Sequence, residues 1–145
     1  MRVKVGLLLV AFGVALTTAA VSADDPIAAR QALMKRNGQE ARNGFMMAKG
    51  RVPFDAQSAA DSMNALAADM EILPTLFPPG SDQGDTKATA AAFENPDDLK
   101  ALAMQLGTDA KAAAAAAPDG VDAFATAFDK IDADCSACHQ KYRGR

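Results

Sequence analysis

Two thiols and an imidazole stand together near the end of the chain, in the run Cys135-Ser136-Ala137-Cys138-His139. On a helix, residues three apart share a face, so the two sulfurs would project together, with His139 at the next position. That spacing lets two thiols reach the two vinyl groups of one porphyrin while the imidazole turns to the iron, so the run reads as a covalent haem attachment site. His139 is the single histidine of the chain, and no second imidazole competes for the iron or completes a bis-histidine site. Three plainer uses of the pair fit less well. A disulfide here would close a very short loop and constrain the unfolded chain little. A thioredoxin-like redox pair normally accompanies a βαβ pattern, which is missing. Structural zinc takes about four ligands, and only three are on offer. The cofactor expected is one haem c, held by two thioether bonds at Cys135 and Cys138, with His139 as its axial metal ligand.

The elements that must position this motif follow a simple plan. Residues 1–23 have the anatomy of a secretory signal: Arg2 and Lys4 at the start, an apolar run from Val5 to Leu16, and the small residues Val21-Ser22-Ala23 before cleavage. The apolar run is too short to span a bilayer, which needs about 20 residues. Residues 24–145 then form one domain in size. Losing Arg2 and Lys4 takes the formal charge from −3 to −5. An acidic surface of this kind argues against nucleic acid or an anionic membrane as partner, and it allows a basic redox partner.

Apolar residues recur at threes and fours in four segments, without strand alternation. The fold class expected is all-α, an antiparallel four-helix bundle with covalently bound haem c in its core. The first helix starts at Asp25-Pro26, carries Ile27, Arg30, Met34, Ala41, Phe45 and Ala48 on one face, and ends before Gly50 and Pro53. Gly38 and Gly44 weaken it in isolation and allow another helix or a ring to come close. The second helix carries Ala56, Ala59, Met63, Leu66, Met70 and Leu73, and Pro74 ends it. Residues 77–94 form a polar crossover with room for a short helix. The third helix opens on Asn95 as cap, Pro96 at the first position, and Asp97 and Asp98 against the N-terminal dipole. Its stripe is Leu99, Leu102, Leu106, Ala110, Ala113 and Ala117, and the alanine run reads as close packing. The fourth helix carries Val121, Phe124, Phe128, Ile131, Cys135, Cys138 and Tyr142, so the thiols continue its apolar seam, with Gly144 as the stop.

With this bundle and a motif at its far end, the chain resembles the class II c-type cytochromes, the cytochrome c′ family. The resemblance covers essentially all of residues 24–145. It is carried by Cys135-x-x-Cys138-His139-x-x-Tyr142-Arg143, by Arg30-Gln31-x-x-Met34, and more weakly by Phe77-Pro78 with Thr86-Lys87-Ala88. It implies that Arg30 and Gln31 stand at the haem edge near the propionates, that Arg143 lies close to the proximal histidine, and that Met34 lies over the distal face. It also implies a periplasmic location after cleavage following Ala23, and a monomer or a homodimer.

Met34 separates two functions. A methionine on a helical stripe is most simply core packing, but a thioether can also ligate haem iron. The segments around Met34 and around Met46-Met47 resemble the family's low-spin branch, in which such a methionine is the sixth ligand. That reading makes the chain a one-electron carrier serving redox partner proteins, with no membrane attachment once the signal is gone. The alternative is a five-coordinate, high-spin protein that binds nitric oxide or carbon monoxide, a diatomic gas, at an open distal site. An enzyme is not expected, because no general base is paired with a nucleophile and the only histidine is committed to iron.

Overall fold

The computed structural model describes residues 25–144; the expected export signal lies outside the described residues. Five α-helices follow one another: α1 (Pro26–Ala48), α2 (Ala56–Ile72), the short α3 (Ala90–Glu94), α4 (Pro96–Ala116) and α5 (Val121–Tyr142). The four long ones form the bundle, and α3 is a single turn and a half within the crossover. Among the described residues no helix is long and apolar enough to cross a membrane.

Local chemistry explains each start and stop. Asp25 caps α1 by accepting from the amides of Ile27 and Ala28, with Pro26 at the first position. Asp55 caps α2 through the Ser58 amide at 2.7 Å. Gly50, at φ 63°, turns the chain out of α1 as only a residue without a Cβ does easily. Asn95 departs from expectation. Its side chain does not cap α4 but donates backwards to the Ala91 carbonyl at 3.0 Å, closing α3 instead. The side-chain orientation that lets Nδ2 donate to Ala91 leaves the side-chain oxygen without a bond to the first amides of α4.

Gly144 is the second departure. It does not stop α5 in a left-handed conformation; α5 ends at Tyr142, and Arg143 leaves in an extended conformation. The tail then pairs antiparallel with the crossover through the bridge of Ala88 and Arg143. The Thr89 amide donates to the Tyr142 carbonyl at 2.9 Å and the Gly144 amide to the Lys87 carbonyl at 2.8 Å.

The core seams of α2, α4 and α5 lie where the periodicity puts them. Ala59, Met63, Leu66, Met70, Leu99, Leu106, Ala110, Ala113, Phe124, Phe128 and Ile131 are all buried. The alanines of α4 let α2 approach closely, and Gly107 sits against Met70 of that helix. The first helix is different, because it has two working faces. The face packed on the bundle carries Leu33, Asn37, Gly44 and Met47. Of the expected stripe, Ile27, Arg30, Met34, Ala41 and Phe45 line a cavity, as a haem-facing stripe should, and Ala48 packs on the core.

Helices α1 and α5 run antiparallel and meet tightly at one end only. A Cβ on Gly44 would lie 2.5 Å from the Phe128 ring and 3.0 Å from the Met63 methyl, so the ring fills the notch that glycine leaves. The Phe124 ring packs on Phe128 and on Phe54, each at 5.6 Å between centroids, and extends this closed end. Towards Met34 on α1 and Cys138 on α5 the two helices part.

Candidate functional site

Between the parted helices lies a cavity of about 950 Å³, walled by α1, α2, α4, α5 and the crossover. Cofactor pockets of about 300–1,000 Å³ are usual. The α5 wall presents Ile131, Cys135, Cys138, His139 and Tyr142, one continuous seam whose upper part is core and whose lower part is site. The α1 wall presents Met34, Gly38, Ala41 and Phe45. Phe45 is 45 % exposed, an unusual state for a phenylalanine on an inner stripe, because the cavity is what it faces. Of the methionines, Met34 and Met70 reach the cavity, whereas Met63 is fully buried against Gly44 at the closed end.

The electrostatics suit a covalent, neutral-ligand site. Burial raises the Cys135 thiol to about 11, helped by the carboxylates of Asp132 and Asp134, and burial raises Cys138 as well. Both shifts reflect the apolar wall on which the two sulfurs sit. Burial, with a smaller repulsion from Arg143, lowers the pKa of His139 and favours the neutral imidazole that ligates metal. Tyr142, one turn beyond Cys138, donates its hydroxyl to Asp98 of α4 and ties the end of the motif helix to the bundle. Lys141 reaches the same carboxylate at 3.1 Å.

The crossover closes the cavity's edge, and α1 holds it there. Arg30 is only 5 % exposed, not an ordinary surface arginine. Its guanidinium donates to the Leu76 carbonyl at 2.6 Å, to the Ser81 hydroxyl at 2.8 Å, to the Ser81 carbonyl at 2.6 Å and to the Thr86 hydroxyl at 3.3 Å. It also lies over the rings of Phe77 and Phe93, 4.8 and 5.5 Å from their centroids. Gln31 donates to the Asp85 carbonyl at 2.7 Å. Both residues line the cavity as expected of an edge pair, but their visible hydrogen bonds go to the crossover. Arg143 lines the same edge beside His139. Sequence reasoning did not assign Lys35, Arg42 or Lys87 to the site, although Lys87 stands in a segment that carried the resemblance, and all three line the cavity. The signal for the first two was present: each follows directly after a residue of the stripe that looks inward, which sets it at the margin.

These residues fit a haem. Two thiols share one wall with the only imidazole, a thioether faces them from the opposite helix, and the space between is largely apolar. Comparison with known proteins agrees. The sequence profile described as Cytochrome C' matches residues 25–143. Cytochrome c-556 of Agrobacterium fabrum is 38 % identical over 128 residues, 88 % of this chain and 87 % of its own. Cytochrome c' of Rhodopseudomonas palustris is 32 % identical over 127 residues, 87 % of this chain and 86 % of its own. A solved structure of cytochrome c' from Rhodopseudomonas palustris superposes with a TM-score of 0.78 at 30 % identity, covering 83 % of this chain and 97 % of that one. The chain thus belongs to the cytochrome c′ family, haem proteins of electron transfer rather than enzymes, and its cofactor is a covalently held haem c.

Proposed function

We propose that this chain is an exported one-electron carrier whose haem is bonded to Cys135 and Cys138 and ligated by His139 on one side and Met34 on the other. The observation that carries it is the pairing across the cavity: Met34 on α1 and His139 on α5 line one space from antiparallel helices. The haem supplies the one-electron change at iron, and the protein supplies everything that makes it quick and selective. A methionine sulfur as second axial ligand raises the potential relative to a second imidazole and suits a site that changes charge without rearranging. Apolar walls lower the local dielectric, so the ligands and the buried Arg30 bear on the iron more strongly than they would in water. In this reading Arg30 and Gln31 belong to the haem edge by holding the crossover over it. The Arg30 charge also favours the haem's carboxylates, and Arg143 stands on the proximal side. Residues 1–23 would direct export and be removed after Ala23, leaving 24–145 as the periplasmic domain.

One observation favours the five-coordinate alternative. Met34 packs against the main core cluster as well as lining the cavity, so its side chain has a packing role that needs no bond to iron. Optical and low-temperature EPR spectra of the holoprotein, beside Met34→Ala, separate the two. The carrier reading expects a low-spin wild type that refuses carbon monoxide when reduced, and a high-spin variant. A high-spin wild type that takes up nitric oxide or carbon monoxide makes Met34 a distal wall and the protein a gas binder.

A further inference from the structure

We propose that the mouth of the haem cavity is a cationic docking surface, and that the redox partner presents an acidic face to it. The inference deepens the carrier reading and rests on it for the existence of a partner. Lys35 and Arg42 of α1, Lys87 of the crossover and Arg143 after α5 come from three separate elements to line one opening. All four are exposed. Among the described residues none has a carboxylate within 4.0 Å, whereas Arg36, Lys49, Lys111, Lys130 and Lys141 are each paired with one. The exposed carboxylates on the same lining are Asp85 and Asp132. Behind the rim, the buried Arg30 adds a fifth positive charge. The two carboxylates of a haem would offset part of this and still leave the opening positive.

The rest of the molecule is acidic, with a formal net charge of −3 for the whole chain. Which sign a partner feels depends on distance. At an ionic strength of about 0.15 M the Debye length is about 8 Å, so an approaching protein senses the rim and not the far side. An acidic surface in general would favour a basic partner; the distribution of unpaired cations reverses that choice at the one place where electrons leave. Like charges elsewhere then discourage docking in unproductive orientations.

The test measures oxidation of the reduced holoprotein by ferricyanide, an anion, and by tris(phenanthroline)cobalt(III), a cation, from about 10 to 200 mM salt, a range over which screening shortens severalfold. The ferricyanide rate should fall about threefold or more with salt and the cobalt rate should rise, as steered encounters of opposite sign do. Poly-aspartate should slow the ferricyanide reaction at low salt, and poly-lysine should not. Lys87→Glu and Lys35→Glu should each flatten or invert both slopes. Arg51→Glu makes the same change in net charge at the α1–α2 turn and should leave them unaltered. Salt slopes of the opposite sign, inhibition by poly-lysine alone, or equal effects of Arg51→Glu and Lys87→Glu would overturn the proposal. Reaction with these small oxidants needs only a redox-active haem, so a high-spin spectrum would overturn methionine ligation without touching this result.

Discussion

The two ends of the α1–α5 pair use the same helices to opposite purpose. At the Gly44 end a missing Cβ admits the Phe128 ring, and the helices lock over Met63. At the Met34 end no side chain closes the space, which is left to the haem, and the crossover, pinned by Arg30, borders it. The closed end is made of carbon packing, which is directionless and tolerates no extra volume. The open end is made of positioned donors, thiols and charges, whose value depends on what enters. A cofactor cavity in a bundle therefore needs two things at once: a strong clasp at one end and an unfilled stripe at the other.

That contrast can be broken from either side. The largest effect belongs to the open end: Cys135→Ala with Cys138→Ala should abolish covalent retention of haem, seen as loss of haem staining on a denaturing gel and of the haem mass on the intact chain. Phe128→Ala should remove the clasp and cost about 3–5 kcal/mol of holoprotein stability in denaturant titration. Gly44→Ala, which adds one methyl where the ring already sits, should cost about 1–3 kcal/mol. Gly38→Ala is its control on the open side: compared in the haem-free chain, where a Cβ there meets no protein atom within 4 Å, it should stay within about 1 kcal/mol of wild type. If the two glycine variants melt alike, the asymmetry between the ends is wrong.

The smallest effect is a pH slope. Hydrogen bonding to Asp98, then burial, raises the Tyr142 hydroxyl from about 10 to about 12. Its folded value lies above its unfolded one, so the stability it contributes is complete below pH 10 and is lost as pH rises towards 12. Thermal melts across that window should show the decline in wild type, and Tyr142→Phe should remove this component. Asp98 has the opposite sense. Its pKa is lowered by Tyr142 and Lys141, so its contribution is present above the ordinary carboxylate range and fades as pH falls below it.

The motif helix was legible because its chemistry and its packing share one period. Phe124, Phe128, Ile131, Cys135 and Cys138 continue a single stripe, and nothing interrupts it where core becomes site. α4 was legible for the same reason, apart from Asn95, whose amide had two helix ends within reach. The first helix was legible on the side that faces the cavity, where the stripe with Met34 was expected, but its other buried positions include Asn37 and Gly44, residue types that do not read as core. Asn37 is buried with neither amide atom hydrogen-bonded, which no hydropathy pattern would suggest. Arg30 was found for its place at the edge, but its partners Ser81 and Thr86 are fifty residues away in a polar crossover and carry no periodic signal. Charges behave alike: Lys35 and Lys87 become neighbours of one opening only when the crossover is laid against α1.

Gly44 also acts at a distance. It lies ten residues from Met34, about 15 Å along a helix rising 1.5 Å per residue. With the Phe128 contact as fulcrum, α1 is the arm of a clothes-peg, and the gap at its tip is set by the thickness of what is gripped at the pivot. A bulkier side chain at Gly44 would lever Met34 away from α5 without touching the cavity. The distance from Met34 to the α5 wall is thus adjustable by a residue that does not itself line the cavity.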